Sequence, residues 1–180
     1  MKTDILLSGA GGQGLMSLGK VIAAAAILEN KFTTYFPSYG PEVRGGTAYC
    51  YVKISDKPIA SPLVETPDAA IILNQQSLEK FKNRLDKNCT LILNSDLIQD
   101  KPNLSAKKII YLPLSKVALK CGDIRCANVV ALGALIQLNP DILKQETITG
   151  ILKKIFSANS SMLNINIKAL SRGHEAAKNH

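Results

Sequence analysis

The stretch Gly9-Ala10-Gly11-Gly12-Gln13-Gly14 stands between an apolar run, Ile5-Leu6-Leu7-Ser8, and the alanine-rich segment LGKVIAAAAILE. Glycine loses more backbone entropy on folding than any other residue, so four of them in six positions mark a place where bare backbone is needed. A strand, a glycine turn and a helix N-terminus together form a concavity whose N–H groups and helix dipole favour an anion such as a diphosphate. The spacing Gly9-x-Gly11-x-x-Gly14 also fits the dinucleotide-binding fingerprint. The rest of that fingerprint is missing: TTYFPSYG, where the second strand ends, has no acid for a ribose hydroxyl, and Glu29 comes too early. Two readings stay open. Gly9, Gly11, Gly12, Gln13 and Gly14 form an anion cradle, or the turn is purely structural and Gly14 and Gly19 let the helix lie close to the sheet.

Beyond this turn the hydrophobic pattern alternates between strand and helix periods. Strands are expected at Asp4 to Ser8, Lys31 to Phe36, Thr47 to Ile54, Ala69 to Asn74, Thr90 to Asn94 and Lys108 to Leu112. The SDKP turn after Ile54 predicts a hairpin with a short partner strand near Ile59 to Ser61. Helices are expected at Gln13 to Glu29, Gln76 to Leu85, within LPLSKVALKCG up to a stop at Gly122, and at Arg125 to Leu138. Asn139 as N-cap and Pro140 at the first helical position predict a further helix over Asp141 to Phe156, and a last one spans Ile165 to Asn179. Strands alternating with helices imply an α/β fold: a three-layer sandwich around a Rossmann-like, mainly parallel sheet with an antiparallel hairpin element. A length of 180 residues with 46% hydrophobic content favours one compact domain over residues 1–180.

Composition removes several function classes. No apolar run reaches 18 residues and no secretory leader is recognisable, so a cytoplasmic chain without a membrane segment is expected. Cys50, Cys89, Cys121 and Cys126 are too sparse for a disulfide scaffold. Cys121 and Cys126 are separated by four residues with no second pair or nearby histidine, so no metal site is expected and any iron-sulfur chemistry belongs to another chain. The net charge of +8 comes from cations scattered along the chain rather than from a block. It suits a solvated surface, a nucleotide-like anion or an acidic partner subunit, and no nucleic-acid module accompanies it. His174 and His180 lie in a polar C-terminal stretch; Ser8, Ser17 and Ser38 have no neighbouring base; Asn128 heads a helix as a cap or loop hydrogen-bonder. No catalytic residue is expected on this chain.

A second loop, Tyr39-Gly40-Pro41-Glu42-Val43-Arg44-Gly45-Gly46, combines a fixed φ at Pro41 with a sharp reversal at Gly45-Gly46. Arg44 suits a carboxylate or phosphate and Tyr39 a rigid contact surface. In the alternative, Glu42 and Arg44 satisfy each other.

Taken in order, GAGGQG with Gly19, YGPEVRGG, SPLVETPDAAIILN, CANVVALGAL and NIKALSRG resemble the gamma subunit, or gamma domain, of 2-oxoacid:ferredoxin oxidoreductases from Asp4 to Gly173. The loop YGPEVRGG sets the chain apart from the indolepyruvate branch and favours the 2-oxoglutarate or general 2-oxoacid branch. The resemblance implies a complex that oxidatively decarboxylates a 2-oxoacid, joins the acyl group to coenzyme A and reduces ferredoxin or another acceptor. Such a complex uses thiamine diphosphate, Mg and an iron-sulfur cluster held by alpha, beta and ferredoxin-like delta subunits. It further implies that this chain is structural and coenzyme-A-associated, binds no cofactor tightly alone, and is inactive in isolation. Tyr39, Gly40, Pro41, Glu42, Arg44, Gly45 and Gly46 would then form the edge of the active site or a subunit contact. The competing reading, resting on the glycine turn alone, is a free-standing NAD(P)-binding Rossmann oxidoreductase.

Overall fold

The computed structural model describes residues 1–38, 47–100, 102, 104 and 106–178. Six strands form one sheet: β1 (Lys2–Ala10), β2 (Phe32–Pro37), β3 (Thr47–Ser55), β4 (Ala69–Ile72), β5 (Thr90–Asn94) and β6 (Lys108–Leu112). Their order is β2-β3-β1-β4-β5-β6. β1, β4, β5 and β6 pair in parallel, while β3 runs antiparallel to both of its neighbours, β1 and β2.

Strand alternation divides the core in two. On one face Ile5, Leu7, Val52, Ile71, Ile92 and Ile110 pack with α1 (Leu15–Leu28), α3 (Leu114–Cys121), α4 (Ala127–Leu138), α5 (Gln145–Ile155) and α6 (Ser160–Lys178). On the other face Leu6, Tyr51, Ile72, Leu91 and Leu93 pack with Leu78 and Phe81 of the short helix α2 (Gln75–Phe81). The three layers are therefore unequal, a thick helical layer on one side and a thin one on the other. Both faces of the central strands are covered, which is why they read as continuous apolar runs.

Three expectations need correction. Residues 59–61 form no strand; the antiparallel element is β3 itself, and because β1 and β2 occupy both of its edges no edge remains for a hairpin partner. The segment 56–68 instead lies over the thin side and is held by a buried ion pair. Lys53 Nζ donates to the Leu63 carbonyl at 2.7 Å and lies 3.2 Å from Asp4 Oδ2, while Asp68 accepts the Asp4 N–H at 2.8 Å.

The other two corrections concern helix starts. Asn139 does not cap a helix: its Nδ2 bonds back to the Leu135 carbonyl at 3.1 Å, closing α4, and α5 begins only at Gln145. The last helix starts at Ser160, five residues before the expected Ile165, because Asn159 Oδ1 accepts the Met162 N–H at 3.0 Å. Gly122, with φ 125°, does end α3 as expected.

α4 and α6 meet without side chains between them. A Cβ at Gly133 would fall on the Leu170 carbonyl, and one at Gly173 on the Val130 carbonyl. The apolar motifs around these glycines thus place two helix backbones in direct contact behind the sheet.

Candidate functional site

α1 leaves β1 toward the thick layer and α2 leaves β4 toward the thin one, so the crossovers diverge between the adjacent strands β1 and β4. In open α/β sheets this switch point, at the carboxyl ends of the strands, is where ligands are bound. The glycine turn occupies that position. Gly11 and Gly12 are exposed, and Gly12 and Gly14 have φ of 88° and 72°, which other residues rarely adopt.

The turn is shaped largely by its own backbone. Gln13 folds back so that Oε1 accepts the Ala10 N–H at 2.7 Å, while its N–H donates to the Ala10 carbonyl at 3.3 Å. Gly14 is the N-cap residue of α1, no side chain caps the helix, and its first turn carries no acid. The positive end of a 14-residue helix therefore opens onto the turn with no acid in the helix's own first turn to offset it. Gly9 has no room for a side chain, since a Cβ there would meet Leu15 Cδ1 at 2.9 Å and Leu73 Cβ at 3.1 Å.

The two glycines expected to bring the helix close to the sheet do different things. Gly19 has that role: a Cβ would lie 2.7 Å from the Tyr35 ring and 2.8 Å from Cys50 Sγ. Gly14 instead abuts Asn128, whose Nδ2 would lie 2.5 Å from an added Cβ and donates to the Gly14 carbonyl at 3.0 Å. Asn128 is thus the residue that sequence spacing undervalued. Its position at a helix start signalled a hydrogen-bonder, but only the fold shows that its partner lies 114 residues away in the glycine turn.

Two more asparagines organise the same sheet end. Asn74 Oδ1 accepts the Ser77 N–H at 3.1 Å and so caps α2. The buried Asn94 donates to Ser115 Oγ at 3.0 Å and accepts the Leu114 N–H at 3.1 Å, fixing the start of α3 to the end of β5. Tyr49, on β3, lies under Lys80 Nζ at 4.7 Å from its ring centroid.

The residues of the second loop, Tyr39, Gly40, Pro41, Glu42, Arg44, Gly45 and Gly46, lie outside the described residues. Their flanks are described: Thr47 is in register with Ala10 at the end of β1, and the Ser38 N–H bonds to the Tyr49 carbonyl at 2.9 Å. His180 also lies outside the described residues.

Among the described residues the turn offers backbone polarity, and the first turn of α1 has no acid. Three of the buried thiols are held protonated: burial pushes Cys50 and Cys89 up to about 12 and Cys126 to about 11. Cys50, Cys121 and Cys126 belong to the thick-layer core and Cys89 to the thin one, so the cysteines do not converge as cluster ligands. Among the described residues no group of His, Cys, Asp and Glu is arranged to hold a metal ion. None of the described helices is long and apolar enough to cross a membrane.

Beside the turn, a groove of about 550 Å³ runs between α1, α4, α5 and α6 from Gly14 and Asn128 toward Ile155 and Met162.

The sequence matches the family described as pyruvate ferredoxin/flavodoxin oxidoreductase over residues 4–176. It is 34% identical over 174 residues to the ketoisovalerate oxidoreductase subunit VorA of Methanothermobacter thermautotrophicus, covering 97% of this chain and 36% of that one. The chain thus spans about a third of the length of that relative. It is also 34% identical over 183 residues to the 2-oxoglutarate synthase subunit KorC of Methanocaldococcus jannaschii, covering 99% of this chain and 95% of that one. Among solved structures, the keto/oxoacid ferredoxin oxidoreductase gamma subunit of Geobacter sulfurreducens superposes with a TM-score of 0.86 at 31% identity, over 99% of this chain and 98% of that one. The 2-oxoglutarate:ferredoxin oxidoreductase of Magnetococcus marinus, solved with 2-oxoglutarate, coenzyme A and succinyl-CoA, superposes with a TM-score of 0.88 at 25% identity, over 99% of this chain and 31% of that one. With the family matched along nearly all of its length, the chain belongs to the pyruvate ferredoxin/flavodoxin oxidoreductase family, and its fold is that of a gamma subunit.

Proposed function

We propose that this chain serves as the gamma subunit of a 2-oxoacid:ferredoxin oxidoreductase that converts 2-oxoglutarate to succinyl-CoA, with the chemistry on partner chains. The observation that carries this reading is the whole-length match to separate subunits, KorC and the Geobacter gamma subunit, combined with a switch-point glycine turn at a helix start that has no acid in its first turn. Alpha, beta and ferredoxin-like delta subunits hold thiamine diphosphate with its Mg and the iron-sulfur cluster. The buried free cysteines of this chain, with Cys89 across the sheet from the other three, suit neither cluster ligation nor redox work. The glycine turn, with an uncapped helix start and a chain carrying +8 net charge, suits the phosphates of coenzyme A. Its segment 39–46 serves as the edge of the active site or as a subunit contact.

The 34% identity to a ketoisovalerate-type subunit makes a branched 2-oxoacid the competing substrate. A free-standing NAD(P) enzyme is disfavoured by topology. In the dinucleotide fold the strand carrying the ribose-binding acid lies parallel and adjacent to β1, whereas antiparallel β3 holds that place here and β2 is displaced to the edge.

The test is to purify the complex from its native cell and assay it with 2-oxoglutarate, pyruvate and ketoisovalerate, each with coenzyme A and a ferredoxin-type acceptor. The expected result is coenzyme-A-dependent reduction that is fastest with 2-oxoglutarate, and none from this chain alone. Turnover by the isolated chain, or a complex that prefers another 2-oxoacid, overturns the corresponding part of the proposal.

A further inference from the structure

The groove beside the glycine turn differs from the turn in kind. Leu18 and Val21 of α1, Val129 of α4, Ile151 and Ile155 of α5 and Met162 of α6 give it an apolar lining. Its polar floor groups are already engaged. Asn128 donates to the Gly14 carbonyl at 3.0 Å and accepts the Val129 N–H at 2.8 Å. Asn166 donates to the Met162 carbonyl at 2.8 Å and accepts the Cys126 thiol at 3.6 Å. Little is left to fix a polar ligand, so the occupant must be apolar where it meets the floor.

The lip carries charge of one sign. Lys20 and Arg125 line it and no carboxylate does, although Asp123 outside the groove holds Arg125 at 2.6 Å. Lys153 and Lys154 sit in the last turn of α5, next to Ile155, which is 54% exposed. An apolar floor under a cationic lip is the complement of an amphipathic helix whose polar face is acidic. The α1 wall from Gly14 to Ala24 is about 15 Å long at the helical rise, enough for about three turns of an occupant.

We propose that this groove seats an acidic amphipathic helix of a partner subunit in the assembly inferred above. The proposal rests on that assembly. A second copy of this chain is disfavoured because two chains of +8 repel each other. The same fold also forms about a third of longer polypeptides such as VorA, so a surface that the remaining polypeptide covers is expected on it.

The test uses the intact complex purified from its native cell and the chain reassembled with its separated partner subunits. Photo-crosslinking residues placed at Ile155 and at Lys20 are expected to label one partner segment, apolar at helical spacing with Asp or Glu between. Labelling of a second copy, of a segment without acids, of a small molecule, or of no peptide in an intact complex overturns the proposal. In reassembly, Ile155→Asp is expected to weaken association about tenfold or more, as loss of a buried anchor does. Leu63→Asp, at a residue 60% exposed on the opposite side of the sheet from the groove, leaves association unchanged. The exposed Lys20→Glu keeps the test valid if Ile155→Asp misfolds. It is expected to weaken association severalfold at low salt and less at high salt. If no partner subunit accompanies the wild-type chain, the subunit reading itself fails. If Ile155→Asp and Lys20→Glu assemble like the wild type, only the groove proposal fails.

Discussion

Gly14 joins two constraints that act on one atom. Its φ of 72° excludes most side chains, and Asn128 occupies the space a Cβ would need. Gly14→Ala is expected to cost about 1–2 kcal/mol for the left-handed backbone alone, with a further penalty from the Asn128 contact. That further penalty should shrink in an Asn128→Ala background, because the clash is then gone; urea denaturation of the four proteins in a double-mutant cycle measures it, and strict additivity would contradict the contact. The buried thiols of Cys50, Cys89 and Cys126 give a second prediction at this scale. Their folded pKa values, about 11 to 12, lie above the value of 9.0 for a free thiol. Above pH 9 the unfolded chain ionises first and binds fewer protons, so their contribution is intact below pH 9 and is lost as pH rises toward 12. The melting temperature should therefore fall from about pH 9 upward, and Cys50→Ala should flatten that fall even though it lowers stability at pH 7. Alkylation of the native protein at pH 7 should leave Cys50 and Cys89 unmodified.

At the scale of elements, glycines in three helices that look alike in sequence have opposite roles. At the α4–α6 crossing a methyl group at Gly133 or Gly173 would land on a backbone carbonyl, which cannot rotate away. Gly133→Ala and Gly173→Ala are expected to destabilise by about 1–3 kcal/mol or more, the range for forced overpacking. Gly150, in α5, has nothing within 4 Å of an added Cβ. Gly150→Ala should stabilise by about 0.5–1 kcal/mol through helix propensity. Chemical denaturation of the three variants checks the contrast, and a stabilising Gly173→Ala would refute the close crossing. The sheet edge is also managed locally. Because the Ser38 N–H points inward to Tyr49, the alternation of β2 turns the nitrogen of Pro37 outward, where its missing donor blunts the open edge.

For the molecule as a whole, the decisive feature is the strand order. By placing β3 between β2 and β1, the chain keeps the glycine turn of a dinucleotide fold but loses the neighbouring parallel strand that would carry the ribose contact. The same arrangement leaves the thin side to α2 and to the segment 56–68, fastened through Lys53 and Asp4, both more than 90% buried. Lys53→Ala would leave the Asp4 carboxylate only the exposed Lys2, at 3.4 Å, and the Leu63 carbonyl without its donor, and is expected to cost about 1–3 kcal/mol. It should also speed proteolysis within 56–68 under native conditions, and an unchanged cleavage rate would argue against Lys53 as the fastener.

Much of this was legible before any fold was known. Local period and turn chemistry determine the six strands, the glycine turn, the stop at Gly122 and most helix positions, because each depends on residues a few places apart. The sequence motifs likewise mark the gamma-subunit resemblance along the chain. Local signals failed where a remote partner decides. Ile59 to Ser61 read as a strand, but β3 had no free edge for it, and Asn139 read as a cap, but its amide closes the helix before it. Asn128 is indistinguishable from an ordinary helix-start residue until the fold brings it 3.0 Å from the Gly14 carbonyl. The groove under its cationic lip is equally invisible in the linear chain, since its walls come from four helices. The sequence alone determined which segments are strands, helices and bare-backbone turns, because those choices are settled over a few residues. Tertiary structure alone decided which edges pair, which backbones touch and which charges share a surface, because those depend on loop closures and burial that no local pattern encodes.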